Sequence, residues 1–271
     1  MNNYKIHNEV SKAIKKGKRK VIIHRHIFKN AGTTFDFILR NNFGSAFCDH
    51  RNDIPMRKEG EKYLLQYLKD NPEVKALSSH HIWFNPKSVN RFTFVPIIFI
   101  RHPIERIRSV YNFERQQQAN TSGALIAKKL DFKEYVSWFM QDNVSAVIRN
   151  IHTRYLAGVK KPRPLDNKQF RVALKFIEKS PFIGVVDLFD QSLKNFDKAF
   201  RAIDIELDFS YENKNVSQPF ENADYELRAR EVLDELNDIA AVVLEKNAFD
   251  LKLYKIIRER VLNCKFHRYA K

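Results

Sequence analysis

Cysteine is nearly missing from this chain: Cys48 and Cys264 are the only two. Two thiols cannot build the framework of a small secreted domain, and their spacing matches no zinc pattern, so a reducing compartment is expected. Glycine (7) and proline (9) are also scarce, which excludes collagen-like and low-complexity designs. No run of eighteen apolar residues occurs, and the opening MNNYKIHNEV lacks the apolar stretch of a signal peptide. These absences point to a cytoplasmic protein whose contact with membranes is at most peripheral, through its basic first segment.

What is present is apolar material and positive charge. Hydrophobic residues make up 44% of the chain, enough for a full core. Lys and Arg number 48 against 32 Asp and Glu, a formal charge of +16. Such an excess favours anionic partners: nucleic acid, anionic lipid, acidic polysaccharide or a polyphosphorylated small molecule. Part of it lies in KKGKRK, Lys15 to Lys20. No repeat or linker divides the chain, so we expect one domain over residues 1–271. Its core would run from about 20 to 262, behind a basic N-terminal segment 1–20.

Four short apolar runs read as buried strands: Val21 to Ile27, Val74 to Ser78, Val95 to Ile100 and Phe182 to Val186. Helical spacing follows three of them, as in Phe35, Ile38, Leu39 and Phe43, and Pro103 stands where a helix would open. Alternating strands and helices predict an α/β fold: a three-layer α/β/α, P-loop-like domain with a mainly parallel sheet. The stretch 224–261 has neither Gly nor Pro and reads as one or two long C-terminal helices.

Ligands of such sheets gather beyond the C-terminal strand ends. After the first run comes HRHIFKNAGTT, His24 to Thr34. Gly32 permits close backbone approach, Thr33 and Thr34 bring hydroxyls, and Lys29 brings charge, at a helix start whose dipole favours an anion. The nucleotide loop GxxxxGK[ST] is absent, because the lysine precedes the glycine. After the third run, Arg101 stands at a strand end with Ser109 two helical turns later, and an arginine there can grip a phosphate bidentately. Two anion-suited strand ends suit a ligand with two separate phosphates.

These residues carry a resemblance. His26 to Thr34 resembles the HIPKTAGTT-type loop of the Golgi-type and bacterial carbohydrate sulfotransferases (sulfotransferase family 2, related to heparan sulfate 2-O-sulfotransferase). Arg101 to Tyr111 is similar to that family's RDPVERxxSxY segment. FIGVV (Phe182 to Val186) with FDQSL (Phe189 to Leu193), and HTRYLAG (His152 to Gly158), match weaker family segments in order. The resemblance covers roughly residues 20–260. It implies that Lys29, Asn30, Ala31, Gly32, Thr33 and Thr34 hold the 5′-phosphosulfate of 3′-phosphoadenosine-5′-phosphosulfate (PAPS). Arg101 and Ser109 would hold the 3′-phosphate, and Asn215 and Ser217 would lie in a loop near the cofactor. Three positions depart from the pattern: Phe28 replaces a proline, Asn30 a threonine or serine, and His102 an aspartate.

Sulfuryl transfer, like phosphoryl transfer, needs in-line positioning, a cation on the leaving oxygen and a base for the acceptor hydroxyl. Lys29 suits the cation. The resemblance places a base histidine after the second strand run, where SHHIWFN offers His80 and His81. Adjacent residues on an extended chain face opposite sides, so only one of the two can point at the sulfonate, and a carboxylate elsewhere is the alternative to both. The aromatic residues that follow favour His81, with His80 as the alternative. The acceptor implied is a sugar hydroxyl of a polysaccharide or glycolipid, which can itself be anionic, and no metal is called for. Two other readings exist. One is an ATP-using P-loop kinase, for which Asp187 is the nearest metal-binding candidate. The other is a non-catalytic nucleic-acid-binding module, which lacks zinc, RNP-like and helix-turn-helix signals.

Overall fold

Val21, Ile22 and Ile23 are fully or almost fully buried, as β-branched residues in the middle of a covered parallel sheet are. They form the centre of β1 (Arg19–Arg25). The computed structural model describes residues 18–89, 91–211 and 225–263. Within these, β2 (Phe47–Asp49), β3 (Ala76–Ser79), β4 (Phe92–Ile100) and β5 (Ile183–Val185) follow. All neighbours pair in parallel, in the order β2-β3-β1-β4-β5. The four expected strands are all present. β2 is an addition of three residues, FCD, with no apolar run to announce it.

The helices are α1 (Gly32–Phe43), α2 (Asp53–Glu59), α3 (Glu61–Asp70), α4 (Pro103–Gln116), α5 (Ser122–Lys129), α6 (Phe132–Phe139), α7 (Ile151–Ala157) and α8 (Asn167–Lys179) before β5. After it come α9 (Phe189–Arg201), α10 (Tyr225–Leu236), α11 (Ala240–Lys246) and α12 (Ala248–Leu262). The C-terminal stretch is thus shorter-jointed than its composition suggested. It breaks after Leu236, where Asn237 takes φ 51°, and again at Asn247.

Side chains of β4 alternate between the two faces of the sheet. Ile97 and Phe99 pack with Phe35, Ile38 and Leu39 of α1 and with Phe196 and Phe200 of α9. On the other face, Ile98 and Ile100 meet α7, α8 and α12, while Val21, Ile23 and Leu77 of the neighbouring strands meet α2 and α3. Helices on both faces make the three layers expected. α4, opened by Pro103 at its first turn, leaves the sheet and packs with α5, α6, α10 and α11 around Ile104, Ile107 and Val110.

β1 lies between β3 and β4. The chain leaves β1 toward β2 and β3 but leaves β4 toward β5, so the loops beyond these two adjacent strand ends diverge. That switch point is where open α/β sheets form a ligand crevice.

Candidate functional site

The loop between β1 and α1 holds two left-handed residues that carry a Cβ, Lys29 (φ 63°) and Ala31 (φ 56°). Such residues are uncommon and belong to the turns that gather backbone N–H groups around an anion. α1 starts without a side-chain cap, since Ala31 at the N-cap has no oxygen to offer. Its first intrahelical bond runs from Phe35 N–H to Ala31 C=O at 3.2 Å. The amides of Gly32, Thr33 and Thr34 precede that bond, at the positive end of a 12-residue helix. Thr33 is exposed and Thr34 half-buried, so both hydroxyls stand at the open end.

Gly32 is required from behind. A Cβ there would lie 1.9 Å from Nε2 of His26, whose ring fills the space under the helix start. His26 is fixed in turn. Its Nδ1 donates to Asp36 Oδ2 at 3.0 Å, and His24 Nδ1 donates to the other carboxylate oxygen at 2.6 Å. Burial works against the Asp36 charge, yet the two imidazoles hold its pKa well below the carboxylate range. The trio is a buried brace between the end of β1 and α1, with each carboxylate oxygen taken by one ring.

Asn30 faces inward and is only 1% exposed. Its amide donates to Phe99 C=O at 2.8 Å and meets His152 Nε2 at 2.9 Å, and its backbone N–H donates to Ile27 C=O. Both side-chain donors are spent on the fold, so Asn30 does not offer its amide to a phosphate as the sequence suggested. It ties the loop to the end of β4. Behind it, His152 Nδ1 lies 3.1 Å from Asp250 Oδ2, and Asp250 accepts from the His152 and Thr153 amides and the Thr153 hydroxyl.

Three cations converge on the loop. Burial lowers the Lys29 pKa, and Arg101 and Arg106 lower it further by repulsion. Lys29 Nζ lies 4.7 Å from the centroid of the Phe113 ring. Arg106 is buried and braces the loop, donating to Phe28 C=O at 2.9 Å and Val147 C=O at 2.7 Å. Arg101 makes a long contact, 4.0 Å, with Glu105, whose carboxylate is gripped by Arg228 of α10. Its guanidinium is thus not committed to that acid, and Ser109 is half-buried further along α4. Clustered like charges store repulsion that a bound polyanion relieves.

The histidine pair is split by its bonds. His80 Nδ1 donates to His26 C=O at 2.8 Å, so a neutral His80 carries its lone pair on Nε2. Burial, and then the neighbouring His26, push its pKa down to about 3. His81 instead accepts at Nδ1 from Arg57 Nε, at 3.1 Å. The segment between them and the sheet is anchored by Arg25, fully buried, which donates to Ile82 C=O and Tyr155 C=O and lies over the Tyr155 and Phe176 rings. His102 lies 4.8 Å from the Tyr254 ring. Asp187 accepts from Arg258 Nε at 3.1 Å and also acts electrostatically on Arg101. Asn215 and Ser217 lie outside the described residues.

The sequence reading passed over Arg106, Asp36, His152 and Asp250. One signal was available: Asp36 falls on the apolar face set by Phe35, Ile38 and Leu39, and a carboxylate there needs a buried partner. His152 and Asp250 gave none, because their partners are far away in sequence.

The sequence is similar to known proteins. The model of the sulfotransferase family covers residues 14–255. An uncharacterized protein of the archaeon Archaeoglobus fulgidus is 32% identical over 251 residues, which is 88% of this chain and 95% of the relative. The chain therefore belongs to the sulfotransferase family.

Proposed function

We propose that the protein transfers a sulfonate from PAPS to a hydroxyl of a carbohydrate or glycolipid. The observation that carries this reading is the uncapped start of α1 beside Lys29, Arg101 and Arg106. Backbone amides and clustered cations at two adjacent strand ends suit a ligand with two separated phosphate groups. The 5′-phosphosulfate belongs on the amides of Gly32, Thr33 and Thr34, with the 3′-phosphate on Arg101 and Ser109.

Lys29 steadies the oxygen that leaves with the 5′-phosphate as the sulfur–oxygen bond breaks. His80 takes the acceptor proton as the new bond forms. The hydrogen bonds favour His80 over His81: one fixes a lone pair on Nε2, while the other engages Nδ1 of His81 with Arg57. Phe28 and Phe113, with rings 5.1 Å apart and edge to face, offer a sugar an apolar wall. Arg57, and Lys160 donating to its carbonyl at 2.8 Å, make the acceptor side basic. That basicity suits an acceptor already bearing negative charge.

The test is thermal stability with adenosine 3′,5′-bisphosphate, ADP and Mg·ATP side by side. A ligand at a hundred times its dissociation constant adds about 2.7 kcal/mol. A shift with the 3′,5′-bisphosphate supports the reading. A shift with Mg·ATP alone moves the protein to ATP chemistry.

A further inference from the structure

β5 is short, and beyond it this edge of β4 has no partner strand among the described residues, only a bridge between Val89 and Phe92 at its start. β5 pairs only with Ile98 to Ile100, whereas β1 pairs with Phe92 to Ile97. Beside the unpaired half lies a cavity of about 480 Å³, a size that suits a small organic molecule. It is remote from the crevice described above, since Thr93 and Arg101 are separated by roughly 25 Å of strand.

Its walls carry unspent polar groups. Thr93 and Ser180, 4% and 5% exposed, both line it, and neither hydroxyl has a partner among the described residues. The edge of β4 adds acceptors. Ile98 N–H points toward β5, donating to Phe182 C=O at 3.0 Å, and alternate residues of a parallel strand face the same way. Phe94 and Pro96 therefore face the cavity. The Phe94 N–H is taken by Ser88 Oγ at 3.1 Å, and Pro96 has none. What the edge presents is carbonyl oxygen. An added β-strand needs donors in that row as well, so this edge disfavours a peptide and suits a discrete molecule.

The remaining lining sets the class of that molecule. Phe94, Phe176, Phe182 and Leu156 supply apolar wall. Lys175 and Lys179, one turn apart on α8 and both exposed, stand at the rim, and the lining contains no acidic residue.

We infer that this cavity is a second ligand site, for a small amphipathic anion. An apolar ring or short chain lies against the phenylalanines, and a hydroxyl or N–H donor faces the carbonyls of Phe94 and Pro96. A carboxylate or phosphate meets Lys175 and Lys179. The inference is independent of the cofactor reading.

The probe is 4-hydroxyphenylacetate, titrated calorimetrically into the full chain and compared with the neutral 4-hydroxyphenylacetamide. Saturable binding of the carboxylate is expected, undisturbed by adenosine 3′,5′-bisphosphate. Lys175→Ala with Lys179→Ala, two exposed changes that leave the core intact, weakens it about tenfold. Val172→Trp, at a rim position that is 45% exposed, blocks the mouth and removes binding. No saturable binding, equal binding of the amide, displacement by the bisphosphate, or unchanged affinity in both variants overturns the inference.

Discussion

His152 meets the side-chain amide of Asn30 at 2.9 Å, across 122 residues of sequence. The amide nitrogen can only donate, so Nε2 of His152 accepts and its proton sits on Nδ1, the side toward Asp250. α12, the last of the described helices, thereby holds the loop that follows the first strand. Asp250→Ala leaves three buried donors without their acceptor and costs about 3–5 kcal/mol. Urea midpoints at an unchanged m-value measure that loss; a shift of only a few tenths would contradict the brace.

Gly32→Ala pushes a methyl into the His26 ring. Overpacking of this kind costs about 1–3 kcal/mol, and the start of α1 moves with the ring. Melting curves with and without adenosine 3′,5′-bisphosphate separate the two effects. We expect a lower Tm and a smaller ligand shift; an unaltered ligand shift would show that the helix start had not moved.

Lys29→Ala removes a charge that Arg101 and Arg106 repel. The unliganded variant is expected to be as stable as the parent or more so, while turnover falls about 10²–10³-fold. A destabilised apo protein would mean that Lys29 holds the fold.

His80→Ala should lower turnover about 10²–10⁴-fold, and His81→Ala much less. A base acts when unprotonated, and His80 is held below the ordinary histidine value by burial and His26. The acid limb of kcat/KM therefore lies below about pH 6.5 rather than at it. A limb at 6.5 that survives in His80→Ala and vanishes in His81→Ala would reverse the assignment.

Stability should fall as pH drops below about 6.5. Burial is the leading cause that lowers the pKa of His24, His80 and His102, with His102 reaching about 4. The unfolded chain then binds more protons than the folded one between the folded values and 6.5, so each histidine withdraws up to about 1.4 kcal/mol per pH unit in that window. Asp36 and Asp250 are shifted in the same direction, downward, with the same consequence at lower pH: their contribution is present above about pH 4 and is lost in stronger acid. Urea titrations at pH 7, 6 and 5 check the histidine part; a flat profile excludes it.

Much of the fold is legible because it depends on local pattern. VPIIFI can only be a covered strand, and Pro103 can only open its helix. β2 escaped because three residues paired at a sheet edge carry no period. The cation set was half legible: Lys29 and Arg101 stand at strand ends, where chemistry is expected, while Arg106 looks like one more charge on a helix. Asn30 was ambiguous for a different reason. An amide can face a phosphate or a backbone carbonyl equally well, and His152, which decides between them, lies in another segment.

The bond between Asn30 and His152, with Asp250 behind it, also bears on how the protein is made. Synthesis delivers the first strand and its loop early, yet the groups that lock that loop in place leave the ribosome more than a hundred residues later. A nascent chain can form β1, α1 and their neighbours while its anion-binding turn still lacks a keystone. If that loop holds the donor as proposed, competence for it is among the last properties the molecule acquires, and a chain stalled before Asp250 would be folded in part but without the braced loop.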